Sequence, residues 1–285
     1  MTDLKFFNAL KIGLGDHFRK LWTIIDEYKK FEHIYSSLPN VLRRLNIKSD
    51  TEWNKINVDK EYERLEKGKV KIVTFWDNDY PQLLKEIYMP PLGLYVKGNT
   101  KIFNNTNLAV IGSRHPTEYG QKVVEKIIGE LKDYKVNIVS GLAIGMDTYV
   151  HQYALNNNLK TIGIIGSGFI GFAPRRNISL AREIVKNDGL VVSEYPIDFY
   201  PRKYYFVARN RIISGVSKGV LIVEAQKKSG TLITAKFAEE QNRDLLIIPN
   251  NIFESNGEGT NQLIKEGARL VNSCSDIIDE IGLKK

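Results

Sequence analysis

At 285 residues the chain is long enough for one or two domains with a real core, and 41 Lys and Arg against 33 Asp and Glu leave a formal charge of +8. Hydrophobic residues at 42% and charged residues at 26%, with no low-complexity tract or internal repeat, mark an ordinary soluble globular protein and exclude fibrous and disordered classes. No apolar run approaches the ~18 residues of a membrane span, which excludes a spanning protein. "MTDLKFFNAL" has no charged leader ahead of a long apolar stretch, and the single Cys274 cannot form an intramolecular disulfide, so a cytoplasmic location is expected. The basic balance favours nucleic acid or phosphate partners, although a lysine-rich surface alone produces the same charge.

Residues 1–65 read as a small helical module. Apolar positions in "FFNALKIGLGDHFRKLWTIIDEYKKF" recur at helical spacing with interruptions at Gly13 and Gly15, and "SLPNVLRRLNI" restarts a helix behind a Pro-Asn turn. Two or three short helices of the helix-hairpin-helix or SAM-like kind are expected. Residues 66–106 form a bridge: a strand in "KVKIVTF", a turn at Asp77-Asn78-Asp79, a short helix opened by Pro81, and a strand in "PPLGLYVKGN" ended by Gly98-Asn99. From residue 107 short β-rich runs alternate with helical segments. The strands are "NLAVIGS", "VNIVSG", "TIGIIGSG", "GLVVSE", "GVLIVEA", "DLLIIPN" and "ARLVN". This alternation predicts a doubly wound, mostly parallel α/β sheet covered on both faces.

Ligands of such a sheet bind beyond the carboxyl ends of its strands. Here those ends are small or polar: Gly112-Ser113-Arg114, Ser140-Gly141, Gly166-Ser167-Gly168, Ser193-Glu194, Glu224-Ala225 and Pro249-Asn250. Six such ends suggest one shared rim, with helix amino termini behind it that favour an anion. Lys228-Ser229-Gly230-Thr231, opening "LITAKFAEEQ", reads as the clearest anion cradle. Arg114 follows the first of these strands, and Arg209 and Arg211 flank Asn210 in "ARNRIISG", which reads as a loop entering a helix. Guanidinium groups suit phosphate because the planar fork donates two parallel hydrogen bonds. Arg175, Arg176, Arg202, Lys203 and Lys227 add charge beside the rim, and Tyr200, Tyr204, Tyr205 and Phe206 interleave with some of them. That mixture is what single-stranded nucleic acid uses, although packing under a loop explains individual rings equally well.

Catalytic constellations are poor. His17, His33, His115 and His151 show no metal spacing, Cys274 has no partner motif, and there is no P-loop lysine. His151 reads as a packing histidine, Asp147 as a helix cap, and Glu194 and Glu224 as acids with no evident partner. Gly166, Gly168 and Gly171 spell the G-x-G-x-x-G of dinucleotide sites, with Glu194 placed to grip a ribose. Against a nicotinamide enzyme, "FAPRRN" puts Pro174 where the helix should already run, and the motif sits on the third strand of the series.

The ordered set "DNDYPQLLKEIYMPPLGLYVKGN", "AVIGSRHPTEYG", "IVSGLAIGMDTYVHQYAL", "VVSEYP", "FVARNRIISGVSKGVLIVEA", "SGTLITAKFAEEQNRDLLIIPNNI" and "GTNQLIKEGA" resembles the DNA-processing protein A (DprA, or Smf) family over about residues 66–272. The resemblance implies an extended Rossmann-like fold behind a SAM-like module. It implies a homodimer that binds single-stranded DNA and helps load the RecA recombinase in natural transformation, without catalysis and without a cofactor. By position it carries Arg114, Arg209 and Arg211 to the DNA-contacting rim, and Gly112, Ser113, Ser140, Gly141, Gly166, Gly168, Ser229, Gly230 and Thr231 to the pocket loops. The sequence departs from the family pattern at "GFIGFAPRRN" and at "FVA" before "RNR", and ends at Lys285 without the winged-helix tail many members carry. Related Rossmann-like enzymes that release ribosyl monophosphates carry G-G-x-G-T-x-x-E; here the stretch is "KSGTLIT", with Thr234 where the catalytic Glu would stand. A nucleotide-binding sensor, or a Rossmann enzyme like the nucleotide phosphoribohydrolases, is the alternative.

Overall fold

The structure, a computed structural model, describes residues 2–48 and 53–285. The strands are β1 (Lys71–Thr74), β2 (Gly93–Gly98), β3 (Asn107–Ile111), β4 (Asn137–Ser140), β5 (Thr161–Ile165), β6 (Leu190–Ser193), β7 (Gly219–Ile222), β8 (Asp244–Ile247) and β9 (Arg269–Leu270). They form one nine-stranded sheet in the order β1-β2-β6-β5-β4-β3-β7-β8-β9. From β6 to β9 every pairing is parallel, and β1 and β2 extend the β6 edge antiparallel. Strands β3 to β7 are short unbroken apolar runs because helices cover both their faces; all five residues of β3 are buried. This is the doubly wound, Rossmann-like α/β sheet that the alternation of elements predicts.

The helices are α1 (Thr2–Leu14), α2 (Ile25–Tyr28), α3 (Phe31–Ser36), α4 (Leu38–Arg44), α5 (Val58–Lys67), α6 (Gln82–Lys85), α7 (Glu118–Leu131), α8 (Met146–Asn156), α9 (Ile178–Lys186), α10 (Lys203–Gly215), α11 (Gly230–Glu240), α12 (Glu258–Lys265) and α13 (Cys274–Ile281). Helices α7, α8 and α13 cover one face. In α7, Val124, Ile127, Ile128 and Leu131 repeat at i, i+3, i+4 and i+7, and the Thr117 side chain caps the first turn by accepting from the Gly120 amide. Helices α10, α11 and α12 cover the other face through Ile212, Ile213, Ala235, Ala238 and Leu263.

The amino-terminal helices lie against the antiparallel edge and share a core with it: Phe7, Leu10, Phe18 and Phe31 pack with Ile72, Leu92 and Tyr95. Phe7 is fully buried, with edge-on contacts to Phe18 and Phe31 at 5.0 and 5.1 Å between ring centroids. Five α-helices stand where two or three were expected. Gly13 does not interrupt α1; its bare Cα lets the Trp53 ring lie against the helix, where a Cβ would come within 2.1 Å of ring carbons. The helix stops at Gly15, whose φ of +51° lies in the left-handed region. Helix α13, absent from the sequence reading, begins in a capping box of Ser273 and Asp276.

Phe7→Ala is expected to cost about 3–5 kcal/mol of unfolding free energy, measured in urea, because a fully buried ring leaves a cavity. A loss below about 1 kcal/mol would mean that the helices do not share the sheet's core.

Candidate nucleic-acid interface

Strand β3 lies between β4 and β7, and the chain leaves β3 and β7 towards opposite faces: α7 covers one, α11 the other. A crevice opens where the connections diverge. A cleft of about 860 Å³ occupies it, walled by Gly112–His115 after β3, Ala143 and Ile144 before α8, Lys228–Thr231 at the head of α11, and the inner side of α10. Of the expected strand ends Gly112–Arg114 after β3 lines the cleft directly, and the loops after β4, β5 and β7 reach it through Ala143–Ile144, Ala173–Pro174 and Lys228–Thr231.

The head of α11 faces this space with the free amides of a helix start. Ser229 is extended at the cap position, its Oγ is buried without a hydrogen-bond partner, and a Cβ added at Gly230 would meet nothing within 4 Å. Thr231 Oγ1 donates to the Gly112 carbonyl at 3.1 Å, joining the two loops. Asn210 Nδ2 donates to the Gly230 carbonyl at 3.3 Å. Arg114, Lys203 and Lys228 line the cleft, are exposed and have no ion pair among the described residues. Such a combination holds an anion by amide donors, a helix end and mobile cations together.

Below the cleft several polar groups hold one another, although Arg209 Nε and His151 Nε2 are buried without a hydrogen-bond partner among the described residues. Arg209 is 5% exposed, and its Nη1 donates to the carbonyls of Gly141 and Ile164. Asp147 faces it, accepting from the Gly141 and Ala143 amides at 3.1 and 3.2 Å. Burial pushes the Asp147 carboxyl up, while Arg209 and the two amides pull it back. Asp147 is thus a loop clamp and not the cap of α8; Gly145 holds that position with φ +91°. His151 is fully buried with Nδ1 2.7 Å from Thr161 Oγ1, and desolvation lowers its pKa to about 3. Glu224 accepts from the amide and the hydroxyl of Thr117 at the head of α7.

Several expected site residues lie elsewhere. "ARNRIISG" is the carboxyl-terminal part of helix α10, not a loop entering one. At about 100° per residue, Arg209 and Arg211 point roughly 200° apart and cannot share a rim. Arg209 reaches the cleft lining but is almost wholly buried, with its Nη1 held by the Gly141 and Ile164 carbonyls. Arg211 forms a two-pronged ion pair with Glu194, both bonds at 2.7 Å, and donates to the Met89 carbonyl at 3.3 Å. Ser140 Oγ donates to the Val110 carbonyl, and Gly141 passes under Arg209, where a Cβ would fall 2.1 Å from Nη1.

The third-strand glycines do not form a cradle either. A Cβ on Gly166 would meet Phe206 at 3.0 Å and one on Gly168 the Pro196 carbonyl oxygen at 2.1 Å, while Ser167 Oγ turns back to the Gly168 carbonyl. Helix α9 starts only at Ile178, so no helix end stands behind them. One residue the sequence reading missed is Asn256. Its amide donates to the His115 carbonyl at 2.7 Å and its Oδ1 lies 3.4 Å from Ser113 Oγ, bracing the β3 loop; a lone Asn in a polar loop carries no pattern to find it by.

Residues 71–282 match the family described as DNA recombination-mediator protein A. The chain belongs to that family. It is 45% identical over 204 residues to the DNA processing protein DprA of Streptococcus pneumoniae, covering 72% of each chain, and 38% identical over 213 residues to DprA of Bacillus subtilis, covering 74% of this chain and 71% of that one. The X-ray structure of S. pneumoniae DprA superposes with a TM-score of 0.74 at 40% identity, covering 80% of this chain and 79% of that one. DprA from Helicobacter pylori, described for its single-stranded DNA binding mode, gives 0.67 at 31% identity over 75% of this chain and 95% of that one. The fold is thus shared with these DprA structures, while the hydrogen bonds that hold Arg209 and Arg211 belong to this chain.

Arg211→Ala strands the Glu194 carboxylate, so a stability loss on the order of 2–3 kcal/mol is expected in urea unfolding, below the ~3–5 of a fully buried pair because both side chains keep some solvent. Unchanged stability would show that the pair holds nothing. Because His151 stays neutral in the fold to about pH 3 while the unfolded chain protonates it near pH 6.5, stability should fall as pH drops through that window. His151→Gln should flatten the slope by about one proton, ~1.4 kcal/mol per pH unit; an unaltered slope would contradict a neutral His151.

Proposed function

We propose that this chain is a recombination mediator that binds single-stranded DNA along the crevice between β3 and β7, protects it and passes it to the RecA recombinase in DNA uptake, acting in the cytoplasm as a homodimer. The observation that carries the reading is the head of α11, Ser229–Thr231, open to the cleft and facing unpaired Arg114, Lys203 and Lys228. These groups suit phosphates and carry no base code, so binding is indifferent to sequence. Phe206, partly buried in the cleft wall on α10, offers a ring for a base to stack on.

The reading is one of binding without turnover. Thr234 lines the cleft where nucleotide-cleaving relatives of the fold need a glutamate, and the carboxylate on the lining, Asp147, already accepts two loop amides. A cleft of about 860 Å³ also lies within the range of small-ligand sites, which keeps a free nucleotide as the second reading.

Titration of a single-stranded oligonucleotide and its duplex at two salt concentrations tests the proposal. Tighter binding to the single strand, weakening with salt, is expected, and Arg114→Ala with Lys228→Ala should lower the slope of log affinity against log salt by about 1.4, or ~0.7 per lost phosphate contact. Equal or salt-insensitive binding to both would overturn it. Filament formation by RecA on a strand coated with single-strand-binding protein should be faster with the protein present; no change would remove the mediator role.

A further inference from the structure

The chain between β6 and α10 runs past one mouth of the cleft. Its backbone is tied down: the Gly168 amide donates to the Phe199 carbonyl and the Ile170 amide to the Ile197 carbonyl, both at 2.7 Å. Gly171 lets the chain come close, since a Cβ there would sit 2.9 Å from the Tyr200 Cα. On this fixed backbone the Tyr200 side chain is left 67% exposed, and none of the ring contacts of the described residues involves it. Its neighbours are fully engaged. The Tyr204 hydroxyl donates to Asp16 at 2.6 Å and accepts from Arg202 at 2.9 Å, while Tyr205 stacks on Tyr195 at 3.8 Å between centroids.

The chain after Tyr200, and the segment after Gly171 that meets it, carry four cations. Arg175, Arg176, Arg202 and Lys203 are exposed and pair with no carboxylate among the described residues. The nearby carboxylates are occupied, Asp198 by Arg64 at 3.2 Å and Asp16 by Tyr204. Lys203 and Pro174 belong to the cleft wall, and only Pro201 and Arg202 separate Tyr200 from Lys203, a backbone reach of at most about 11 Å. That distance is roughly three bases at ~3.4 Å per base.

We propose that Tyr200 is a base-stacking subsite for nucleotides leaving the cleft, with Arg202 and the Arg175–Arg176 pair following their phosphates. A solitary exposed ring is unremarkable on a protein surface. This one is an open π-face on a tied-down backbone, close in the chain to Lys203 of the cleft wall and to Arg202, which bonds only the Tyr204 hydroxyl and the Tyr205 ring face among the described residues. An exposed ring beside cations is how proteins hold single strands without reading sequence. The inference rests on the single-stranded DNA reading above and extends it to a longer footprint.

The test uses the full chain and two fluorescein-labelled oligothymidylates, of about five and about fifteen nucleotides, which bracket the site sizes of single-strand binders. Tyr200→Ala should bind the short oligomer as the wild type does and lose about tenfold in affinity for the long one, while Tyr200→Phe keeps both. Arg175→Ala with Arg176→Ala should weaken the long oligomer and lower its salt slope. If Tyr200→Ala binds both oligomers as the wild type does, the subsite is overturned while the cleft reading stands. If the wild type binds neither, both readings fail. An equal loss on both oligomers, with an unchanged melting temperature, would place Tyr200 inside the cleft site and contradict a separate subsite.

Discussion

A guanidinium under the cleft floor ties the carboxyl edge of the sheet together. Taking Arg209 out of water is costly, and burial pulls its pKa down even with Asp147 opposite. The charge is tolerated because it donates to carbonyls at the ends of two neighbouring strands, Gly141 after β4 and Ile164 within β5, while Asp147 gathers the amides of the loop between β4 and α8. Only a residue without a side chain fits at Gly141. One Arg, one Asp and one Gly thereby set where α10 crosses the strand ends, and with it the positions of Phe206 and Asn210 on the cleft wall.

Two classes of cation follow. Arg209 and Arg211 hold the scaffold, one through backbone carbonyls and the other through Glu194. Arg114, Lys203 and Lys228 stand at the surface without an ion-pair partner among the described residues. A mobile strand needs the second class, since an exposed side chain can follow a phosphate without being taken from a partner. The first class keeps the amides of Ser229–Thr231 opposite the β3 loop, where the bond from Thr231 to Gly112 and the brace from Asn256 hold the two sides in register.

Most of the fold was legible because buried parallel strands are continuous apolar runs and the helices between them carry capping and periodic signals. The seven runs from "NLAVIGS" to "ARLVN" are β3 to β9. Of the candidate cleft, the residues read from the sequence as rim are Gly112–Arg114, Arg209, Asn210 and Lys228–Thr231. Sequence order does not show which strands are neighbours, so six polar strand ends looked alike, and the fork between β3 and β7 appears only in the sheet order. The G-x-G-x-x-G spacing marks close approach of backbone, which it delivers: the approach is to Pro196, Ile197 and Phe206 of this same chain. Arg209 and Arg211 misled for a different reason. Two arginines flanking an asparagine look like a rim in a loop, and their divergence appears only when the helix is known to run from Lys203 to Gly215.

Hydrogen exchange of the full chain with and without a single-stranded oligonucleotide tests the location of the site most directly. The account predicts slowed exchange at the amides of 112–115 and 229–231, with little change at 166–168, which already pack against the protein. Protection centred on 166–168, or none at either loop of the fork under saturating oligonucleotide, would contradict it.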